Sequence, residues 1–301
     1  MVLAVTVAAL LAVGIGALAA SRLRPAAGGT APRPGDPAPR AQAGAAHRPS
    51  PAAATSAPGP SRTAGPRGPA SARRARPARP ARPLAGQVVG IDPGHNGGNA
   101  ADPSYIDRLI WNGREPETCD TTGTQTAGGY TEARFTFTVA MYLRADLRRA
   151  GARVVLTRTS NHGAGPCVNR RAGILNAARS GVAIDIHADG GPAWGRGFTV
   201  LEPVADGPND KVIGSSERFG ADVRRAMLAA TPMPVSDYYG HGGIQFRDDL
   251  AGLNLTTVPK VLIECGNMRN AADARLLTST WFQQRLAAAL AAAITGFLAR
   301  G

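Results

Sequence analysis

From Ser21 to Gly86 the chain is built of Pro, Ala, Gly and Arg with almost no large apolar side chain. Such a stretch cannot bury enough surface to offset the entropy lost on ordering it. A disordered spacer is therefore expected over residues 21–86, and of the 301 residues one compact domain over 87–301 remains to fold. Charge divides at the same place. Twelve arginines against Asp36 alone give the spacer +11 of the chain's formal +13, leaving +2 for everything else. The basic character belongs to the tether and not to a folded patch, so a nucleic-acid-binding domain is disfavoured. The tether either attracts anionic wall polymers or lipid headgroups, or is an Arg-biased linker with no specific partner.

Residues 2–20 are nearly all apolar and carry no charge, which fits a secretory signal or a single membrane-spanning helix. Ala17-Leu18-Ala19 has the small-x-small pattern of a signal-peptidase site, yet the run is long enough to stay in the bilayer as an anchor. Both alternatives stay open. Arg22 and Arg24 follow the run where a basic residue would be expected before it, so the flanking charge gives the usual orientation little support. Either way the folded part is expected to be exported, to the cell wall, the extracellular medium or the outer face of the cytoplasmic membrane. In that compartment two of Cys119, Cys167 and Cys265 can pair. Cys119 and Cys167 lie in loop-like sequence, whereas Cys265 follows a strand. A cysteine zinc site is the poorer reading, because no C-x-x-C pair occurs.

Within residues 87–301 the period of apolar residues alternates between strand-like and helix-like. Val88-Val89-Gly90-Ile91 is a short apolar run closed by Asp92-Pro93-Gly94, which predicts a buried strand entering a turn. From Glu132 to Ala150, Phe135, Val139, Tyr142, Leu143 and Leu147 recur at helical spacing before Gly151. Strands are expected over 153–157, 182–187, 197–202 and 258–264, and helices over 169–180, 215–230 and 280–298. Residues 97–131 and 231–256, rich in Gly, Asp, Asn and Pro, are expected to be long loops of the functional kind. The alternation predicts a three-layer α/β/α sandwich with a mostly parallel central sheet.

Ligands of such sheets gather beyond the carboxyl ends of the strands. Three predicted strand ends deliver His95, His187 and Glu264, and the helix that begins at Glu132 follows the loop leaving the His95 strand. Two His and one Glu make a catalytic zinc set with a coordination position left for water. The remaining carboxylate, Glu264, is then placed to act as general base in the hydrolysis of a peptide-like carbonyl. Taken singly, each residue has an ordinary explanation: a His after a strand is usually a loop residue, and Glu132 suits a helix N-terminus. Glu264 is harder to dismiss, because carboxylates are rare in buried strands.

Taken together, IDPGHNGG at 91–98, GYTEARF at 129–135, CVNRRAGILNAA at 167–178, DIHADGGP at 185–192, DLAGLNL at 249–255 and LIECGNMRN at 262–270 resemble the zinc-dependent N-acetylmuramoyl-L-alanine amidases of the amidase-3 type. The likeness is strongest to the compact mycobacterial and actinobacterial wall amidases and spans roughly residues 88–298. It implies that His95, Glu132 and His187 bind Zn2+, that Glu264 is the catalytic acid/base, and that Cys119 and Cys167 form a disulfide with Cys265 free. It also implies the substrate, peptidoglycan or muropeptide fragments cut between N-acetylmuramic acid and L-alanine, by a monomer. Asp185 stands where Ser is usual and Asp189 where Asn is common, and neither change removes a ligand.

The roles of several neighbours stay open on sequence. Asp92 is either a turn residue or the acceptor for a ligand's ring N–H, and Asp185 tunes the site or accepts a hydrogen bond from a helix. Arg170 and Arg171 meet substrate carboxylates or pair structurally. His162 and His241 are read as loop residues, Asn254 and Gln245 as contacts for a glycopeptide, and Trp111, Tyr105 and Tyr238 as sugar-stacking or lid residues. Two other functions compete: a catalytically silent peptidoglycan-binding module, which the intact four-residue set argues against, and a zinc peptidase acting on stem-peptide bonds.

Overall fold

The computed structural model describes residues 82–301. The signal or anchor expected over 1–20, and the spacer as far as residue 81, lie outside the described residues. The described chain opens on a turn in which Leu84 is buried and its N–H donates to the carbonyl of Ala150.

In chain order the elements are β1 (Val88–Pro93), α1 (Pro103–Ile106), β2 (Leu109–Trp111), β3 (Pro116–Thr118), α2 (Glu132–Arg149), β4 (Arg153–Leu156), α3 (Val168–Ala177) and β5 (Val182–Asp189). They continue with β6 (Thr199–Pro203), α4 (Ile213–Ala230), β7 (Ile244–Arg247), α5 (Ala251–Asn254), β8 (Lys260–Asn267), α6 (Ala271–Leu277) and α7 (Thr280–Leu298). Six strands form one sheet in the order β4-β1-β5-β8-β6-β7, while β2 and β3 make a separate hairpin. Within the six-stranded sheet every pairing is parallel except β6 with β8. The three-layer arrangement with a mostly parallel sheet is thus the one the alternation predicts.

Side-chain alternation along the strands sorts the layers. On one face Ile184, Ile186, Val261 and Ile263 pack with Phe135 and Leu143 of α2, Phe219 of α4 and Leu286 of α7. On the other face Ala183 packs under Leu175 of α3, and Leu262 under Leu253 of α5. Asp185 and His187 take that second face, two and four residues after Ala183, so the strand buries an apolar row on one side and lines up polar groups on the other. From β1 the chain crosses to β4 on one side and then returns to β5 on the other. This reversal opens a crevice between the carboxyl ends of β1 and β5, where ligands of such sheets bind.

The two expected long loops contain more order than their composition suggested. Residues 97–131 include α1 and the β2–β3 hairpin, and residues 231–256 include β7 and α5. These pieces are three or four residues long, too short for a periodic pattern to register. They are held by contacts distant in sequence, such as the Asn112 amide donating to the Asp249 carbonyl at 3.2 Å. The helix α6 was likewise not expected; Asn270 caps it, accepting from the N–H groups of Ala272 and Asp273.

Cys119 and Cys167 are bonded across 48 positions of sequence, and Cys265 is free and buried. Closing a loop of that length removes roughly 4 kcal/mol of denatured-state freedom in the chain-entropy account. The reduced protein is therefore expected to melt about 10 °C lower. Calorimetry with and without reductant checks this, and equal midpoints would assign the bond no net stabilisation.

Glu202 on β6 offers a second test, far from the strand ends of the crevice. Burial, helped by the charge of Glu217, pushes its carboxyl up to about 7. A carboxyl raised in the folded state contributes stability that is complete below its unfolded value near 4.5 and lost as pH rises through 7. Glu202→Gln is accordingly expected to match the parent at pH 4 and exceed it at pH 8 by about 2 kcal/mol. Chemical denaturation at the two pH values measures the difference.

Candidate metal centre

Three elements bring the ligand residues to the crevice. His95 lies two residues past the end of β1, Glu132 is the first residue of α2, and His187 lies near the end of β5. The α2 N-terminus forms where it does because Thr131 is extended and its hydroxyl accepts from the Arg134 N–H. Arg158 ties that helix to β1: its guanidinium donates to the Pro93 carbonyl at 2.7 Å and the Ala133 carbonyl at 2.8 Å. Burial, and then the charge of Arg171, brings Arg158 down to about 9. Two glycines let the pieces close. A Cβ on Gly94 would collide with the His187 ring, and one on Gly123 would stand 2.8 Å from both His95 and Glu132 at a φ of +71°.

The donor atoms of His95, Glu132 and His187 all lie within 4.8 Å of one another. His95 Nε2 is 3.7 Å from Glu132 Oε2, and His187 Nδ1 is 2.9 Å from Glu132 Oε1. Two atoms each about 2.1 Å from one tetrahedral ion sit roughly 3.4 Å apart, so this spacing suits a shared zinc. The remaining capacity of Glu132 is taken by backbone, with Thr124 N–H donating to Oε2 at 3.0 Å and Ala188 N–H to Oε1 at 3.2 Å. Burial alone would raise the Glu132 carboxyl, but the two imidazoles and these hydrogen bonds draw it down to about 2. Burial disfavours charge on His187, yet Glu132 wins and its pKa is raised.

Glu264 faces His187 directly in the β5–β8 register, on the same side of the sheet. Among the described residues its buried Oε2 has no hydrogen-bond partner, an arrangement that native proteins reserve for a few groups, catalytic ones among them. Burial, then the negative charges of Glu132 and Asp189, raise its pKa well above the ordinary carboxylate range. Beside it a recess of about 350 Å³ is lined by Asp189, Tyr238, Tyr239 and Arg247. The Tyr238 hydroxyl donates to Asp189 at 2.7 Å, and its ring meets exposed Trp194 edge-on. Arg247 is clasped by both oxygens of Asp249 and donates to the Tyr239 hydroxyl at 2.6 Å. A second cavity, about 170 Å³, runs from His95 and His187 beneath the β2–β3 hairpin and the start of α5.

All four residues singled out in the sequence therefore meet at one crevice. The open roles resolve as follows. Asp92 touches neither imidazole: it accepts from Thr157 at 2.5 Å and Arg171 at 2.9 Å and lies 3.7 Å from the Lys260 ammonium. Burial opposes its charge, but Arg171 and Lys260 outweigh that and lower its pKa to about 2. Asp185 pairs with Lys260 at 2.8 Å and receives no hydrogen bond from a helix; burial carries its pKa up to about 7 despite that cation. Arg171 is buried between Asp92 and Asp120 and is structural, while Arg170 is exposed. Asn254 is buried and its amide donates to the Asp248 carbonyl, and the Gln245 amide donates to the Phe246 carbonyl. His162 and His241 stand outside the cluster.

Two participants were not singled out. Lys260 interrupts the apolar run at 258–263, and the reasoning applied to Glu264 applied equally to it. Asp120, whose Oδ1 is 2.5 Å from His95 Nδ1, carried no signal beyond its place after Cys119.

Known proteins resemble this chain in both sequence and fold. A family model described as N-acetylmuramoyl-L-alanine amidase, of the amidase-3 type, matches residues 89–296. An N-acetylmuramoyl-L-alanine amidase of Mycobacterium tuberculosis is 44% identical over 217 residues, 72% of this chain and 88% of that protein. The crystal structure of an N-acetylmuramyl-L-alanine amidase from Mycobacterium smegmatis superposes with a TM-score of 0.68 at 40% identity, covering 72% of this chain and 99% of that one. The apo form of the Mycobacterium abscessus enzyme gives 0.67 at 40% identity, with 71% and 100% covered.

Proposed function

This chain belongs to the amidase-3 family of N-acetylmuramoyl-L-alanine amidases, and we propose that it works with a zinc ion held by His95, Glu132 and His187 and with Glu264 as proton carrier. Its activity is hydrolysis of the amide joining the lactyl group of N-acetylmuramic acid to the L-alanine of the stem peptide. Water adds its oxygen to the carbonyl carbon, the C–N bond breaks, and the proton lost by water ends on the alanine amine.

The convergence of three donor residues from three separate elements within 4.8 Å carries the metal assignment. A zinc ion there would supply Lewis-acid polarisation and a water acidic enough to react near neutral pH. Glu264 would take that water's proton on its unpartnered Oε2 and deliver it to the departing nitrogen. Burial and the neighbouring carboxylates favour its protonated form, which suits the second transfer, while the charge of a bound zinc would favour the ionised form that the first transfer needs. Glu132, with its carboxyl held low, would supply an anionic ligand and would not compete for that proton. The recess of Tyr238, Tyr239 and Arg247 beside Glu264 would give one flank of a scissile bond bound there a polar wall.

Export follows from the location of peptidoglycan, and the Cys119–Cys167 disulfide suits an oxidising compartment. Among the described residues no helix is long and apolar enough to cross a membrane.

Metal analysis and product analysis test the assignment together. The folded chain is expected to hold about one zinc, His187→Ala to lose both metal and turnover, and muropeptide digests to release whole stem peptides by mass spectrometry. Shortened stems would mean a peptidase, and absence of any product would leave a binding module.

A further inference from the structure

We infer that Asp120, clamped by Arg171, is the positioning residue that fixes the His95 ring in its metal-binding tautomer and so sets the affinity of the zinc site. The inference rests on the metal assignment above. Asp120 is buried and both its oxygens are committed. Oδ1 lies 2.5 Å from His95 Nδ1 and accepts from the Thr121 N–H at 2.8 Å, and Oδ2 accepts from Arg171 at 3.1 Å. A carboxylate in that position is an acceptor only. The proton of a neutral His95 must then sit on Nδ1, which leaves the Nε2 lone pair on the side of Glu132, 3.7 Å away. Partners that orient a ligating imidazole in this way contribute about 10- to 100-fold to metal affinity.

Asp120 is unable to swing aside because both neighbouring segments are pinned. Cys119 immediately before it is bonded to Cys167, the residue preceding α3, and the Val168 N–H donates to the Cys119 carbonyl at 2.8 Å. Arg171 projects from the first turn of the same helix and is buried between its two carboxylates. That arrangement supplies a matched control. Asp92 and Asp120 each form a buried ion pair with Arg171, at 2.9 and 3.1 Å, but only Asp120 touches a ligand. A structural loss would follow from removing either charge, and a loss of metal affinity only from removing one.

Zinc affinity measured by chelator competition on wild type, Asp120→Asn and Asp92→Asn separates these cases. Asp120→Asn is expected to weaken zinc binding by about 10-fold or more and Asp92→Asn to stay within about threefold of wild type. Equal losses in both variants, or an Asp120→Asn affinity within threefold of wild type, would overturn the inference. Nitrogen-15 NMR of the zinc-loaded wild type needs no variant to fold: His95 is expected as the Nδ1–H tautomer, and a proton found on Nε2 would overturn it equally. Wild type that binds no zinc at all would remove the metal assignment itself, whereas a tight wild-type site indifferent to Asp120 would remove only this inference.

Discussion

Glu264→Gln is expected to retain its zinc and lose about 10³-fold in kcat on a muropeptide substrate. The substitution keeps the size and shape of the side chain and replaces its ionisable carboxyl by an amide that cannot carry a proton. His95, Glu132 and His187 are untouched, so on the proposed assignment the metal should stay while the transfer from water to the leaving amine would lose its carrier. Position makes the effect large: Glu264 stands opposite His187 in register, and its Oε2 has no partner among the described residues. Zinc content and single-turnover rate measured on the same preparation distinguish this from loss of the site. A zinc-loaded variant within tenfold of wild type would show that the proton travels by another route.

Lys260→Met should cost about 3 kcal/mol of stability, a fall of roughly 6–12 °C in Tm. Lys260 is fully buried, with its ammonium 2.8 Å from Asp185 and 3.7 Å from Asp92. Removing one partner of a buried ion pair leaves the other uncompensated, and that usually costs more than the pair contributed. Asp185, already raised to about 7 by burial, would respond by taking up a proton. Asp92 would keep Arg171 and Thr157 but lose the second cation that helps to hold it ionised. Adding Asp185→Asn to Lys260→Met should therefore recover part of the loss. Thermal melts of the single and double variants read this directly, and a single variant within 1 kcal/mol of wild type would show that the buried pair contributes little net stability.

The amino-acid sequence alone determined the layered α/β architecture and singled out four residues that the fold brings to one crevice. Val88–Ile91, the helix from Glu132 and the strand before His187 are each long enough, or periodic enough, for burial to dictate their form locally. Because parallel sheets gather ligands at their carboxyl ends, a polar residue at the end of such an element is already placed. The tertiary structure alone decided what those residues touch. Asp92 and Asp120 are both single carboxylates after apolar or loop sequence, and nothing local says that Arg171 joins them or that only Asp120 reaches His95. The short elements β7, α5 and the β2–β3 hairpin were hidden for the same reason. Contacts between residues dozens of positions apart arise from the closing of the chain on itself, and periodicity, a property of neighbours, carries no record of them.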